Sequence, residues 1–257
     1  MSWRRSSALI SHELRVMFAD PGTLLFLVLM PFLMMWVMKP LFQLSLQAEG
    51  FVGASGAEQA VPGIAAMFAT FSASFAGFTF FREHGWNTWE RLRASRASTA
   101  DIMVGKMFPT LLVAVLQMLV LFVLGALMLD LTIAGSITGL AALVVVFSIA
   151  MLAFGMAITA ISRTSQQLNS FVNVGGILFA AIGGALVPIS VLPGWVQSIA
   201  VIIPTYWAMN GFRDVILEGA GVFDVVGPVV VLILFAAAFT LIAALRFRVE
   251  ESKIYYG

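Results

Sequence analysis

The sequence predicts an all-α polytopic membrane protein of six transmembrane helices, and three observations carry that prediction. Of its 257 residues, 61% are hydrophobic and only 11% charged, with a mean hydropathy of +1.01. A soluble domain is about half apolar and about a quarter charged, so soluble-enzyme, disordered and nucleic-acid-binding classes are excluded and the lipid bilayer is the expected surrounding. The second observation is the spacing of the charges. A span needs roughly 20 mostly apolar residues, and a charge at its centre costs about 2.5–3.5 kcal/mol. Uncharged gaps of suitable length lie at 21–38, 59–81, 107–129, 131–162, 164–212 and 225–245. The third is the placement of the basic residues. With six spans and a cytoplasmic N-terminus, Arg4, Arg5, Arg15, Arg82, Arg91, Arg93, Arg96, Lys106, Arg163, Arg246, Arg248 and Lys253 fall inside, which is 12 of the 14. Cytoplasmic segments carry such an excess. Only Lys39 and Arg213 fall outside, and Lys39 can snorkel from the end of its span. A seventh span would export the basic tail.

Taken in order, residues 1–20 place Ile10, Leu14, Met17 and Phe18 at helical spacing with charges between them. That pattern predicts an amphipathic helix lying in the cytoplasmic interface, ended by Asp20-Pro21-Gly22; a frayed polar leader is the alternative. His12, Glu13 and Arg15 interrupt any signal-peptide core, so neither a cleaved signal nor a twin-arginine signal is expected. The spans are predicted at about 22–44, 60–81, 105–129, 136–161, 168–188 and 225–245. The gap at 164–212 is too long for one helix. Pro188, Pro193 and Pro204 interrupt its second half, beside Trp195, Tyr206 and Trp207, which favour the interface. One span to about Pro188, followed by an external re-entrant segment at 189–215, is the expected arrangement.

Several chemistries are missing. The span cores hold no Asp, Glu, Arg or His, where proton- or sodium-coupled transport usually needs a carboxylate. Both histidines fall in cytoplasmic segments, and no H-E-x-x-H, G-x-S-x-G or G-x-x-x-x-G-K-[ST] is present. The absence of cysteine excludes disulfides and cysteine-ligated metal. No catalytic residue, metal ligand or cofactor is expected on this chain, so energy for transport would come from another polypeptide.

The densest polar segment, 82–98, joins spans two and three. As a helix it would set Trp86, Trp89 and Arg93 on one face, suited either to an interfacial anchor or to a partner-docking surface. In span two, Ala65, Ala69, Ala73 and Gly77 repeat every four residues, with Phe68, Phe71, Phe75 and Phe78 nearly opposite. The small face permits close helix packing, while the phenylalanines face lipid, a neighbour or a path. Asn169, Asn173, Gly176, Ala180 and Gly184 share a face in span five, which serves as helix–helix glue or as the cytoplasmic border of a path. Gln117 in span three has no second polar residue to support it. The 14 Met and 22 Phe suit amphiphilic or aromatic cargo.

Glu83, then Thr88-Trp89-Glu90-Arg91-Leu92-Arg93-Ala94-Ser95, then Gly105-Lys106 leading into an apolar span, resembles the cytoplasmic motif of type-2 ABC exporter permeases. Asn87 departs from that pattern where glycine is expected, and Arg96 where proline is expected. Pro188, Leu192-Pro193-Gly194-Trp195, Pro204-Thr205-Tyr206, Gly211-Phe212-Arg213 and Gly219 resemble the family's stretch before its last span. The resemblance implies a dimeric permease, of identical or paralogous chains, in a prokaryotic plasma membrane with both termini cytoplasmic. It implies a coupling helix on a separate nucleotide-binding ATPase, present in two copies, which holds ATP and Mg. Glu83, Trp86, Trp89, Glu90, Arg91 and Arg93 would lie at that contact. Phe68, Phe71, Phe75, Phe78, Asn169 and Asn173 would border the substrate path, and Pro188, Pro193, Trp195, Pro204 and Tyr206 an external gate. Short external loops resemble daunorubicin-type exporters of lipophilic drug-like or lipid-like substrates. Export of a lipid-linked glycan of the O-antigen or teichoic-acid type is the alternative within the family, and a channel or scaffold not driven by ATP the alternative outside it.

Overall fold

The computed structural model describes residues 3–246 except 87 and 96. Arg248 and Lys253 of the basic tail, and the motif positions Asn87 and Arg96, lie outside the described residues, as does the side chain of Arg93. The described residues form α1 (Trp3–Phe18), α2 (Pro21–Ala48), α3 (Ala57–Gly85), α4 (Trp89–Arg93), α5 (Thr99–Met128), α6 (Ile137–Ile161), α7 (Ser165–Ile182), α8 (Gly194–Ala200), α9 (Pro204–Ile216) and α10 (Val226–Arg246), with no strand among them. Five stretches are long and apolar enough to cross a bilayer: Leu25–Ala48 within α2, all of α3, Asp101–Met128 within α5, α6 and α10.

The span expected at 168–188 is corrected at its far end. Helix α7 stops at Ile182, because Gly184 adopts a left-handed φ of 84° and the N–H groups of Ala185 and Leu186 both donate to the carbonyl of Ala180. Glycine takes that conformation without a Cβ penalty. The remaining 18 residues reach about 27 Å. They include Gln166, Gln167, Asn169, Ser170 and Asn173, so α7 is not among the five apolar stretches. At the other extreme, α3 runs past residue 81 through Arg82, Glu83 and His84, and α5 starts at Thr99 rather than 105. Ser98 and Asp101 set that earlier start with a reciprocal capping box, each side chain accepting from the other's backbone N–H.

Helix α3 forms the centre, packed against α2, α5, α6, α7 and α9. Its small face makes the close approaches. A Cβ added at Gly155 of α6 would collide with the Ala73 carbonyl, and one at Gly77 with Thr159 of α6 and Leu168 of α7. Ala65, Ala69 and Ala73 are buried there, so close backbone packing occupies the face the sequence assigned to it. The long helices alternate in direction and give the molecule two polar ends. One gathers Glu13, Arg82, Glu83 and Lys106 around α1 and α4; the other carries the pairs Lys39–Asp130, at 2.8 Å, and Glu49–Arg213, at 2.6 Å. Helices α8 and α9 lie at the second end, where α9 packs on α6, α10 and α3 and buries Met209, Phe212 and Val215.

Candidate functional site

At the first end, α1, α3 and α5 converge on the ammonium of Lys106, which is only 1% exposed. It donates to Glu13 Oε1 at 2.8 Å, to Glu83 Oε1 at 2.9 Å and to the Thr79 carbonyl at 3.2 Å, using all three of its donors. Glu13 Oε2 in turn accepts from Arg82 Nη2 at 2.6 Å. Two carboxylates thus face two cations, the pairing that a buried charge requires. Glu83 also accepts from the hydroxyl of Thr88, the residue preceding α4. Ser6 of α1 donates to Asp101 Oδ1 at 3.1 Å, and Leu9 packs where a Cβ on Gly105 would stand. Helix α1 is therefore clasped along the start of α5 by polar residues and by close packing.

The expected single face of Trp86, Trp89 and Arg93 is not formed. Trp86 caps the end of α3, and the loop helix begins only at Trp89. Trp89 is 5% exposed; it stacks on His84 with ring centroids 4.8 Å apart and joins Phe80, Ile102, Met156 and Ala243 in a small apolar cluster. It keys α4 into α3, α5, α6 and α10. Trp86, by contrast, is 60% exposed and lies over the Arg82 guanidinium at 5.2 Å. Of the six residues expected at a partner contact, Glu83 and Trp89 are engaged within the chain, while Glu90 and Arg91 are exposed. Glu13 and Lys106 are not legible as site residues in the sequence, because Glu13 reads as the solvated face of an amphipathic helix and Lys106 as a positive-inside charge before a span. The lysine of Gly105-Lys106 was the available signal.

Two adjoining cavities run along the phenylalanine side of α3. The first, about 420 Å³, is lined by residues of α1, α2, α3 and α5 including Leu27, Ser72, Phe75, Phe78 and Arg82. The second, about 240 Å³, shares Leu27, Ser72 and Phe75 with it and adds Phe68, Phe71 and Asn173. Asn173 Nδ2 donates to Asn169 Oδ1 at 2.8 Å, so the two amides are tied together, and of the two Asn173 lines the cavity. Gln117, without a second polar residue in its own span, finds partners on two other helices: it accepts from the Ser72 hydroxyl and donates to the Leu27 carbonyl, both at 2.9 Å. This bond set joins α2, α3 and α5 beside the shared wall.

At the opposite end, Arg213 of α9 donates to Glu49 at 2.6 Å and to Gln59 Oε1 at 3.2 Å, while Gln59 donates to the Gly184 carbonyl at 2.8 Å. Burial, together with the neighbouring Glu218, pushes the Asp214 carboxyl above its ordinary value against the pull of Arg213. Of the five residues expected at an external gate, Pro188 lines a pocket of about 250 Å³ with Glu49, Asn210 and Arg213. Pro204 is buried at the first turn of α9, Tyr206 packs edge-on against Trp207, and Pro193, the residue before α8, and Trp195 within it are exposed.

An all-helical bundle with several spans, charged only at its two ends among the described residues and with buried ion pairs at one of them, defines a polytopic membrane protein. The ABC-2 type transporter family matches residues 5–217, and the chain belongs to that family. It is similar to the linearmycin resistance permease protein LnrN of Bacillus subtilis (strain 168), at 30% identity over 149 residues, covering 58% of this chain and 38% of the relative. It is also similar to the Escherichia coli (strain K12) protein named "Probable multidrug ABC transporter permease YbhR", at 27% identity over 141 residues, covering 54% of this chain and 38% of that protein. The matched stretch spans less than two fifths of the length of either relative.

Proposed function

We propose that this chain is the transmembrane subunit of an ABC exporter, moving a lipophilic drug-like or lipid-like substrate out of the cytoplasm or inner leaflet. Two copies of a separate ATPase, with their ATP and Mg, would drive a dimer of permeases in a prokaryotic plasma membrane. In this reading α7 is the fifth of six spans, α1 and α4 lie on the cytoplasmic side, and α8 with α9 forms the external re-entrant segment. The path follows the phenylalanine side of α3 past Asn173, and the pocket beside Pro188 and Arg213 belongs to the external gate. The resistance and multidrug names of the relatives favour drug-like cargo over a lipid-linked glycan.

The observation that carries the proposal is the mounting of α4. Its Trp89 is sunk among four helices and its leading Thr88 is tied through Glu83 to Lys106, while Glu90 and Arg91 remain exposed. A push on that exposed face passes directly into α3, α5 and α1. Purification with the candidate ATPase should yield a complex, and reversing the exposed charges with Glu90→Arg and Arg91→Glu should lower ATPase recovery several-fold without disturbing the permease's own elution. Absence of any ATPase from the wild-type preparation, or full recovery with the double variant, would count against the proposal.

A further inference from the structure

We propose that the cavity between α1, α2, α3 and α5 holds one phospholipid of the adjoining leaflet, its phosphate against Arg82 and its acyl chain along Phe75, Phe78 and Val113. At about 420 Å³ the cavity falls in the size range of small-molecule sites. Its polarity is arranged as an amphiphile requires. Asp20, Arg82 and Trp86 lie at the α1 end beside Val16, Met17 and Thr79, and Leu27, Phe75, Phe78, Val113 and Ala114 line the apolar part. Ser72 and Thr110 also line it, but their hydroxyls are already bonded, Ser72 to Gln117 and Thr110 to the Lys106 carbonyl.

Arg82 is the group that calls for an anion. One of its terminal nitrogens binds Glu13, yet its Nε is buried without a hydrogen-bond partner. An arginine keeps its charge under all conditions, and a buried donor left unmet is costly. A phosphate oxygen is the acceptor that guanidinium geometry suits best. The Trp86 ring over that guanidinium, at 5.2 Å, is of the residue type that settles at headgroup depth. Beside the cavity, Phe26, Leu29 and Met30 of α2 are exposed, as a lipid-facing border would be. The inference requires the chain to lie in a bilayer and shares Phe75 and Phe78 with the proposed path; its readout is labelling by a resident lipid and not export, so its failure would leave the exporter proposal standing.

The test uses the full chain in liposomes doped with one of three probes carrying the same diazirine-bearing acyl chain: phosphatidylethanolamine, phosphatidylcholine or diacylglycerol. After illumination, labelled peptides are mapped by mass spectrometry. Both phospholipid probes should label residues 72–86 and 110–114 above all others, with diacylglycerol about tenfold weaker there. Ala114→Phe, which fills the cavity and leaves the ion cluster alone, should remove this labelling while sparing the rest. Equal labelling by diacylglycerol, an even spread over α2, α6 and α10, or labelling unchanged in Ala114→Phe would overturn the assignment.

Discussion

Lys106 holds two carboxylates from different helices while nearly excluded from solvent, and that arrangement sets the cost of removing it. Lys106→Met would leave Glu13 and Glu83 buried with only Arg82 between them. Breaking a buried ion pair from one side costs about 3–5 kcal/mol, so the variant should unfold at markedly lower denaturant in mixed micelles. Replacing all four charged residues by apolar ones of similar volume should cost far less, which separates the penalty of an orphaned charge from loss of packing. Asp214 shows the opposite balance. Its carboxyl is held above its ordinary value of 3.8 by burial and by Glu218, so the folded state prefers the protonated form. The associated stability is present below the unfolded value and lost as pH rises through the folded one. Asp214→Asn should therefore stabilise the protein near neutral pH, and the gain over wild type should vanish in unfolding measurements taken below that ordinary value.

Among the helices, glycine positions carry opposite expectations according to what stands opposite them. At Gly155 of α6 a side chain would meet the Ala73 backbone, which cannot rotate away, whereas Gly227 of α10 faces open space. Gly155→Val should cost at least about 2 kcal/mol by forcing α3 and α6 apart, and Gly227→Ala should be neutral or stabilise by about 0.5–1 kcal/mol through helix propensity; thermal unfolding of the two variants checks both. The alanine and glycine repeat of α3 was legible because helical period alone decides which residues share a face. Helix ends were less so. The uncharged gaps marked apolar runs, but α3 continues through Arg82 and Glu83 because Lys106 and Glu13 neutralise those charges within the fold. The start of α5 is legible in Ser98-x-x-Asp101, a capping signature that precedes the uncharged run. The early stop of α7 rests on which of several glycines turns left-handed, and the sequence does not distinguish Gly183 from Gly184.

For the molecule as a whole, the sequence disclosed the class and the density of polar residues between the second and third apolar runs, but not the division of labour within that loop. Trp86 and Trp89 look equivalent by spacing; the turn between α3 and α4 sends one outward and the other among four helices. Gln117 looked solitary because its partner Ser72 is 45 residues away, and no local pattern reports such a pairing. The proposed path makes a global claim that Asn173 can test. Asn173→Leu removes the amide from the upper cavity and the bond to Asn169. Export of a resistance-type drug should fall several-fold, with assembly and expression unchanged, and unaltered export would separate those amides from the path.

The ion cluster beneath α1 has one more consequence. Glu13, Glu83, Arg82 and Lys106 sum to zero charge. A unit charge crossing a membrane potential of 100 mV exchanges about 2.3 kcal/mol with the field. A quartet that moves as one body exchanges almost none. The junction can travel with α3 and α5 at any membrane voltage without electrical work, and it is as indifferent to a collapsed potential as to an energised one.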